Sequence, residues 1–178
     1  MKKGLFLFAI IFSFIAFSCS SDDDKGSTSK EITLIGEWRL TNIDFTVFEE
    51  GGMPASDACI FELIAGFEFS ADSKFYYHLG EDYPLFDPYA EDYWSWEGNI
   101  NDFKIIQNNP SSPGYNFGLT PTDINSEWVD GVATLTFHAE MFNGSEAKFT
   151  LIKKEVDSTK TPILTKPDGS VYRCGFFD

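Results

Sequence analysis

The stretch from Asp123 to Lys153 constrains the fold of this chain more than any other. Asp123–Val129 and Val132–Met141 read as strands around Asp130-Gly131, and Asn143-Gly144 leads on to Ala147–Lys153. Asn-Gly and Asp-Gly between apolar runs are strong hairpin signals, because these residues tolerate the positive φ that a tight turn between strands needs. The remainder follows the same grammar. Glu37–Thr41 alternates with Trp38 and Leu40 inward, whereas Ile43, Phe45 and Val47 alternate in the opposite phase. A phase switch near Asn42 predicts a β-bulge, which bends a strand. Ser70–Lys74 reads as a hairpin turn into Phe75–Leu79, and Trp94-Ser95-Trp96 and Phe103–Ile106 flank a turn region at Gly98-Asn99. Asn108–Gly118 is a surface loop by composition. Two readings stand for residues 61–69. One is a strand with Phe61, Leu63, Ala65, Phe67 and Phe69 on one face; the other is a helix over Ala58–Ala65 capped by Asp57. No heptad, fixed-period repeat or long helical pattern occurs. Phe, Tyr and Trp make up 17% of the chain, which suits half-buried pleated surfaces. The expectation is an all-β antiparallel meander, closed or nearly closed.

The N-terminus is of another kind. Met1-Lys2-Lys3 precedes an apolar run, Leu5–Phe17, of thirteen residues. A spanning helix needs about 20, so the layout is that of a secretory signal with basic, apolar and small-residue regions. Ile15-Ala16-Phe17-Ser18-Cys19 resembles the bacterial lipobox, which implies cleavage before Cys19 and acyl chains on it. Several acyl chains hold a protein stably at a membrane where one does not. Ser20–Lys30 has no apolar residue and reads as a solvated tether. Within it, Asp22, Asp23 and Asp24 resemble the acidic export signal of Bacteroidetes lipoproteins, which implies display on the outer face of the outer membrane. The organisation expected is a signal peptide at 1–18, a tether at 19–30 and a domain at 31–178.

Without residues 1–18, which carry Lys2 and Lys3 and no acid, the formal charge falls from −15 to −17. That balance argues against nucleic acid, whose binding needs Lys and Arg to displace counterions. It also disfavours lying on anionic lipid, so the anchor would be the acyl chains. Cys59 and Cys174 are the two cysteines left in the mature domain. In an oxidising compartment they are expected to form a disulfide that ties the breaker-rich tail, 155–178, to the domain.

Leu34-Ile35-Gly36-Glu37-Trp38-Arg39-Leu40 resembles the opening Gly-x-Trp strand of lipocalin-like proteins. The chain is further similar to the small lipocalin-like lipoproteins of Bacteroidetes. Cys59 precedes the hairpin Phe69-Ser70-Ala71-Asp72-Ser73-Lys74-Phe75, where Ser73 stands in place of the usual glycine. Trp94-Ser95-Trp96-Glu97-Gly98-Asn99 and Phe149-Thr150-Leu151-Ile152-Lys153-Lys154 match a Trp strand and a closing strand. The resemblance covers about 31–154. It implies a small up-and-down lipocalin-like barrel and says little about activity.

No chemistry stands out. His78 and His138 are the two histidines, each on an expected strand and neither beside a nucleophile elbow, so no enzyme is expected. His-x-x-x-His and Cys-x-x-Cys spacings are missing, and the carboxylates at Glu81-Asp82, Asp87 and Glu91-Asp92 lack a calcium-loop frame. No metal or cofactor is expected. Gly80–Glu97 (GEDYPLFDPYAEDYWSWE) interleaves aromatics with carboxylates. It reads either as a cap on one end of the barrel or as a surface for glycan or peptide. The first functional expectation is non-catalytic binding of a small apolar or amphipathic ligand, with Trp38, Tyr83, Trp94 and Trp96 as candidate contacts. The second is adhesion through the 80–97 insert.

Overall fold

The computed structural model describes residues 31–48, 61–81, 94–108, 119–140 and 145–173, and these form ten strands. In chain order they are β1 (Gly36–Val47), β2 (Ile64–Phe69), β3 (Phe75–Leu79), β4 (Trp94–Asn99), β5 (Asp102–Gln107), β6 (Thr120–Val129), β7 (Val132–Glu140), β8 (Glu146–Ile152), β9 (Ile163–Thr165) and β10 (Val171–Tyr172). The domain is all-β, and its pairings are antiparallel except for β9 on β1. Strict alternation drives the late hairpins: β7 buries Ala133, Leu135, Phe137 and Ala139, and β8 buries Ala147, Phe149 and Leu151 directly opposite the last three.

β1 organises the sheet. One edge pairs with β8 from Arg39 to Val47, while the other is divided, with β2 along Gly36–Arg39 and β9 along Asn42–Asp44. The phase switch read from the sequence is a register shift between Leu40 and Asn42. It lets Trp38, Leu40, Ile43 and Phe45 all face the core. A second shift, between Phe45 and Val47, leaves Val47 exposed, contrary to the inward position expected for it.

Three other expectations are corrected. Phe61 and Glu62 are helical and the strand starts at Ile64, so the strand does not begin at 61, and the helical reading holds at 61–62 but stops short of Ala65. Gly98 and Asn99 belong to β4, paired with Phe103 and Asp102, and the turn falls at 100–101. The tail is no mere appendage to a purely antiparallel meander: β9 and β10 extend the main sheet.

Between β8 and β9 the chain crosses the outside of the sheet. Arg39 Nη2 donates to Glu155 O at 2.8 Å, Val156 N to Glu37 Oε2 at 2.6 Å, and Glu81 N to Ser158 O at 2.9 Å. Gly66 makes the crossing close. A Cβ there would stand 2.5 Å from Trp38 O and 2.7 Å from Val156 Cγ2.

The core is filled by rings. Trp38, Phe67, Phe69, Phe103, Phe137 and Phe149 are fully buried. Phe69 meets Phe75, Phe103 and Trp96 edge-on at 5.2–5.8 Å, and Phe137 stacks on Phe149 at 5.0 Å. Such geometries add to the area that each ring buries.

Candidate functional site

The two ends of the strand array differ. At one end the hairpin connections are short, 70–74, 100–101 and 130–131, and the longer stretch 153–162 also leaves from it to cross the outside of the sheet. At the other the connections are 48–63, 80–93, 108–119 and 141–145. Register fixes this assignment in the main sheet, since Gly36 pairs with Phe69, Arg39 with Ile152 and Ile152 with Thr134. The separate two-stranded sheet of β4 and β5 is set beside it by the Lys74–Ser95 bridge and by Ser126 Oγ against Asn101. Leu34 closes the short-turn end. It is buried, and its carbonyl accepts a 2.7 Å hydrogen bond from Trp38 Nε1.

A cleft lies on the side of the long connections. Phe61, Ile64, Phe67, Phe75, Tyr77, Trp94, Ile105 and Leu119 line it, and its volume is about 10 Å³. Room of that size admits about one water. Phe75 and Tyr77 alternate inward on β3 and Ile105 lies on β5, while Ile64 and Phe67 on β2, three positions apart, both face in because the register shifts between Ile64 and Gly66. Only Tyr77 and Trp94 among the eight carry a polar side-chain atom, and among the described residues no carboxylate, histidine or nucleophile is part of the lining. Chemically, the cleft offers apolar contact and little else.

The candidate contacts scatter. Trp38 lies in the core at the opposite end from the cleft, with Lys153 Nζ 5.3 Å from its ring centre. Trp94 is 6% exposed and borders the cleft. Trp96 packs edge-on against Phe69 and donates through Nε1 to Ser70 O at 3.0 Å, outside the cleft lining. Tyr83 lies outside the described residues, as do Cys19, Asp22, Asp23, Asp24, Cys59 and Cys174. The other lining residues escaped the sequence reading. Alternation marks most of them as inward-facing but puts Ile64 on the opposite face from Phe67, because it does not foresee the register shift between Ile64 and Gly66, and it does not tell which inward positions border an opening.

Both histidines sit on outward faces. His78 Nε2 is 3.1 Å from Glu68 Oε2 across β2 and β3, and His138 stands opposite Lys148. Among the described residues no group of acids, histidines or cysteines is arranged to hold a metal ion, and no helix is long and apolar enough to cross a membrane. The carboxyls held below their ordinary range among the described residues are at turns and outside the cleft lining: Asp72 by the Ser70 hydroxyl, Asp157 by the Thr159 hydroxyl, and Asp168 by the Ser170 hydroxyl.

No known protein family, curated protein or solved structure matches this chain.

Proposed function

We propose that this is a lipid-anchored envelope protein of Bacteroidetes type, held at the outer membrane through Cys19 and displayed outward under direction of Asp22–Asp24. Its domain is a lipocalin-like barrel, incompletely closed, and it binds a small apolar or amphipathic ligand without catalysis. The observation that carries the reading is the ring-lined cleft at the end of the long connections, bordered by Phe61, Trp94 and Leu119. Two weak seams support the barrel. β3 meets β4 through the single bridge Lys74–Ser95 and a 2.9 Å bond from Trp96 N to Ser73 O, and β5 meets β6 beside a 3.3 Å bond from Ser126 Oγ to Asn101 Oδ1. β4 and β5 form a separate two-stranded sheet, so the proposed barrel, β1 to β8 and back to β1, is open at both seams. With rings filling the middle, the ligand sits in the mouth rather than inside, its apolar end against Phe61, Trp94 and Leu119.

Titration of the mature domain with fatty acids and lysolipids tests this through Trp94 emission. A saturable shift that Trp94→Phe removes is expected; unchanged emission and melting across the series defeats the ligand reading. A glycan array that responds instead would favour the adhesive reading of 80–97. The anchor is tested separately: Cys19→Ala should leave unprocessed or released protein, and mature Cys19→Ala in the outer membrane fraction would refute acylation. Replacing Asp22, Asp23 and Asp24 by Ala should keep the anchor and abolish surface labelling of whole cells. Undiminished labelling would sink the export role.

A further inference from the structure

Resting on the acylation of Cys19 proposed above, we infer that the short-turn end of the domain is a membrane-facing surface, with Ile35, Trp128 and Val129 contacting the lipid and the cleft turned away from it.

Two independent observations meet at this end. The first is where the chain enters. Thr33 and Leu34 are fixed there, Thr33 by Lys153 Nζ, which bonds its hydroxyl at 2.9 Å and also its carbonyl, and Leu34 by the Trp38 indole. Residues 20–30 alone join Cys19 to Glu31, and fully stretched they reach about 40 Å. β1 has twelve residues, a length of roughly 40 Å. The far end would therefore meet the bilayer only with the tether drawn taut along the whole domain, at a large loss of chain entropy. The near end meets it with slack to spare.

The second observation is what the near end displays. Trp128 and Val129 lead into the 130–131 turn, 40% and 45% exposed, and Ile35 is 47% exposed just before β1. Lys153 N donates to Ala133 O at 2.8 Å, and Ala133 pairs with Trp128, so the β6–β7 turn reaches the level at which the chain enters. An aromatic ring and aliphatic side chains on one rim suit the bilayer interface, where Trp settles with its body in apolar surroundings and its N–H in water. Lys74, Lys104 and Lys153 at this end stand among Asp72, Glu97, Asp102, Glu127 and Asp130, so acids outnumber cations there and the contact is with zwitterionic rather than anionic lipid.

Acylated mature protein in phosphatidylcholine vesicles decides the matter, with the acyl chains plain or brominated. Bromine quenches tryptophan emission at short range. Wild-type emission should fall in the brominated vesicles, and Trp128→Phe should remove most of the loss while Trp94→Phe leaves it. Equal emission in both vesicles, for protein shown by mass to be acylated and by flotation to be bound, overturns this inference alone. Loss of quenching on Trp94→Phe rather than Trp128→Phe reverses the orientation and overturns it too. Protein that carries no acyl group defeats the anchor reading and this inference with it.

Discussion

Arg173 Nη1 lies 3.4 Å from Glu62 Oε1, joining two residues 111 positions apart, and Glu62 is 6% exposed. A carboxylate so buried calls for a cationic or hydrogen-bonding partner, and the pair brings the tail to the helical turn ahead of β2. Cys174 follows Arg173 directly, and Cys59 stands three positions before Glu62. Both cysteines lie outside the described residues, yet each is within about 10 Å of chain from a member of the pair. A Cys59–Cys174 disulfide is therefore expected in mature protein, with a stabilisation of at most about 5 kcal/mol for a loop of this order. A non-reducing peptide map should show the 59 and 174 peptides linked. Full alkylation of both thiols without reductant would exclude the bond.

Trp38 should be the most costly single truncation in β1. It is wholly buried, and its indole satisfies the Leu34 carbonyl at 2.7 Å. Trp38→Ala should lose about 3–5 kcal/mol in denaturant unfolding. Trp38→Phe keeps most of the ring and drops the hydrogen bond, so part of its loss is the about 1–3 kcal/mol of an unpaired buried carbonyl. A Trp38→Ala protein with an unchanged midpoint would contradict this placement.

Gly66 tests the tail crossing. Of the two atoms nearest a Cβ at this position, Val156 Cγ2 is able to turn aside, but Trp38 O is backbone and moves only with β1. Gly66→Ala should therefore destabilise by about 1–3 kcal/mol, and it should speed proteolysis between β8 and β9. Adding Val156→Ala should relieve only part of the loss. Full rescue would mean that Trp38 O is not the limiting contact.

The legible part of this fold is local. The bulge at Leu40/Asn42 showed in β1 itself as a change of phase, and the Asp130-Gly131 turn carries its own chemistry, with φ of 50° and 76°. Val47 was misplaced because the second register shift reflects the pairing with Ala147 and Glu146, which β1 alone does not encode. Ile163-Leu164-Thr165 lies between Pro162 and Pro167 and looks like a loop; it is a strand because β2 leaves the β1 edge vacant beyond Arg39. Gly98 has a φ of 102° and looked like a turn, but it stays paired with Phe103. The site was legible only at Trp94. Strand stagger decides which inward rings border the cleft, and stagger is a property of pairs.

Three aspartates give the domain an acid-sensitive set of turns. Asp72 accepts from the Ser70 hydroxyl, Asp157 from the Thr159 hydroxyl and then Lys160, and Asp168 from the Ser170 hydroxyl and its backbone N–H. Each bond favours the carboxylate and holds the group below its ordinary value of 3.8. A folded value below the unfolded one means that the contribution is fully present above about pH 4 and is lost as pH falls through the folded value. All three groups face water, so the effect is confined to the turns and global unfolding should not track it. Carboxyl carbon shifts followed by NMR should give midpoints under 3.8 for all three. Ser170→Ala should return Asp168 toward the ordinary value while Asp72 and Asp157 stay depressed. An Asp168 midpoint that ignores the loss of the Ser170 hydroxyl would show that this turn is not held by the bond assigned to it.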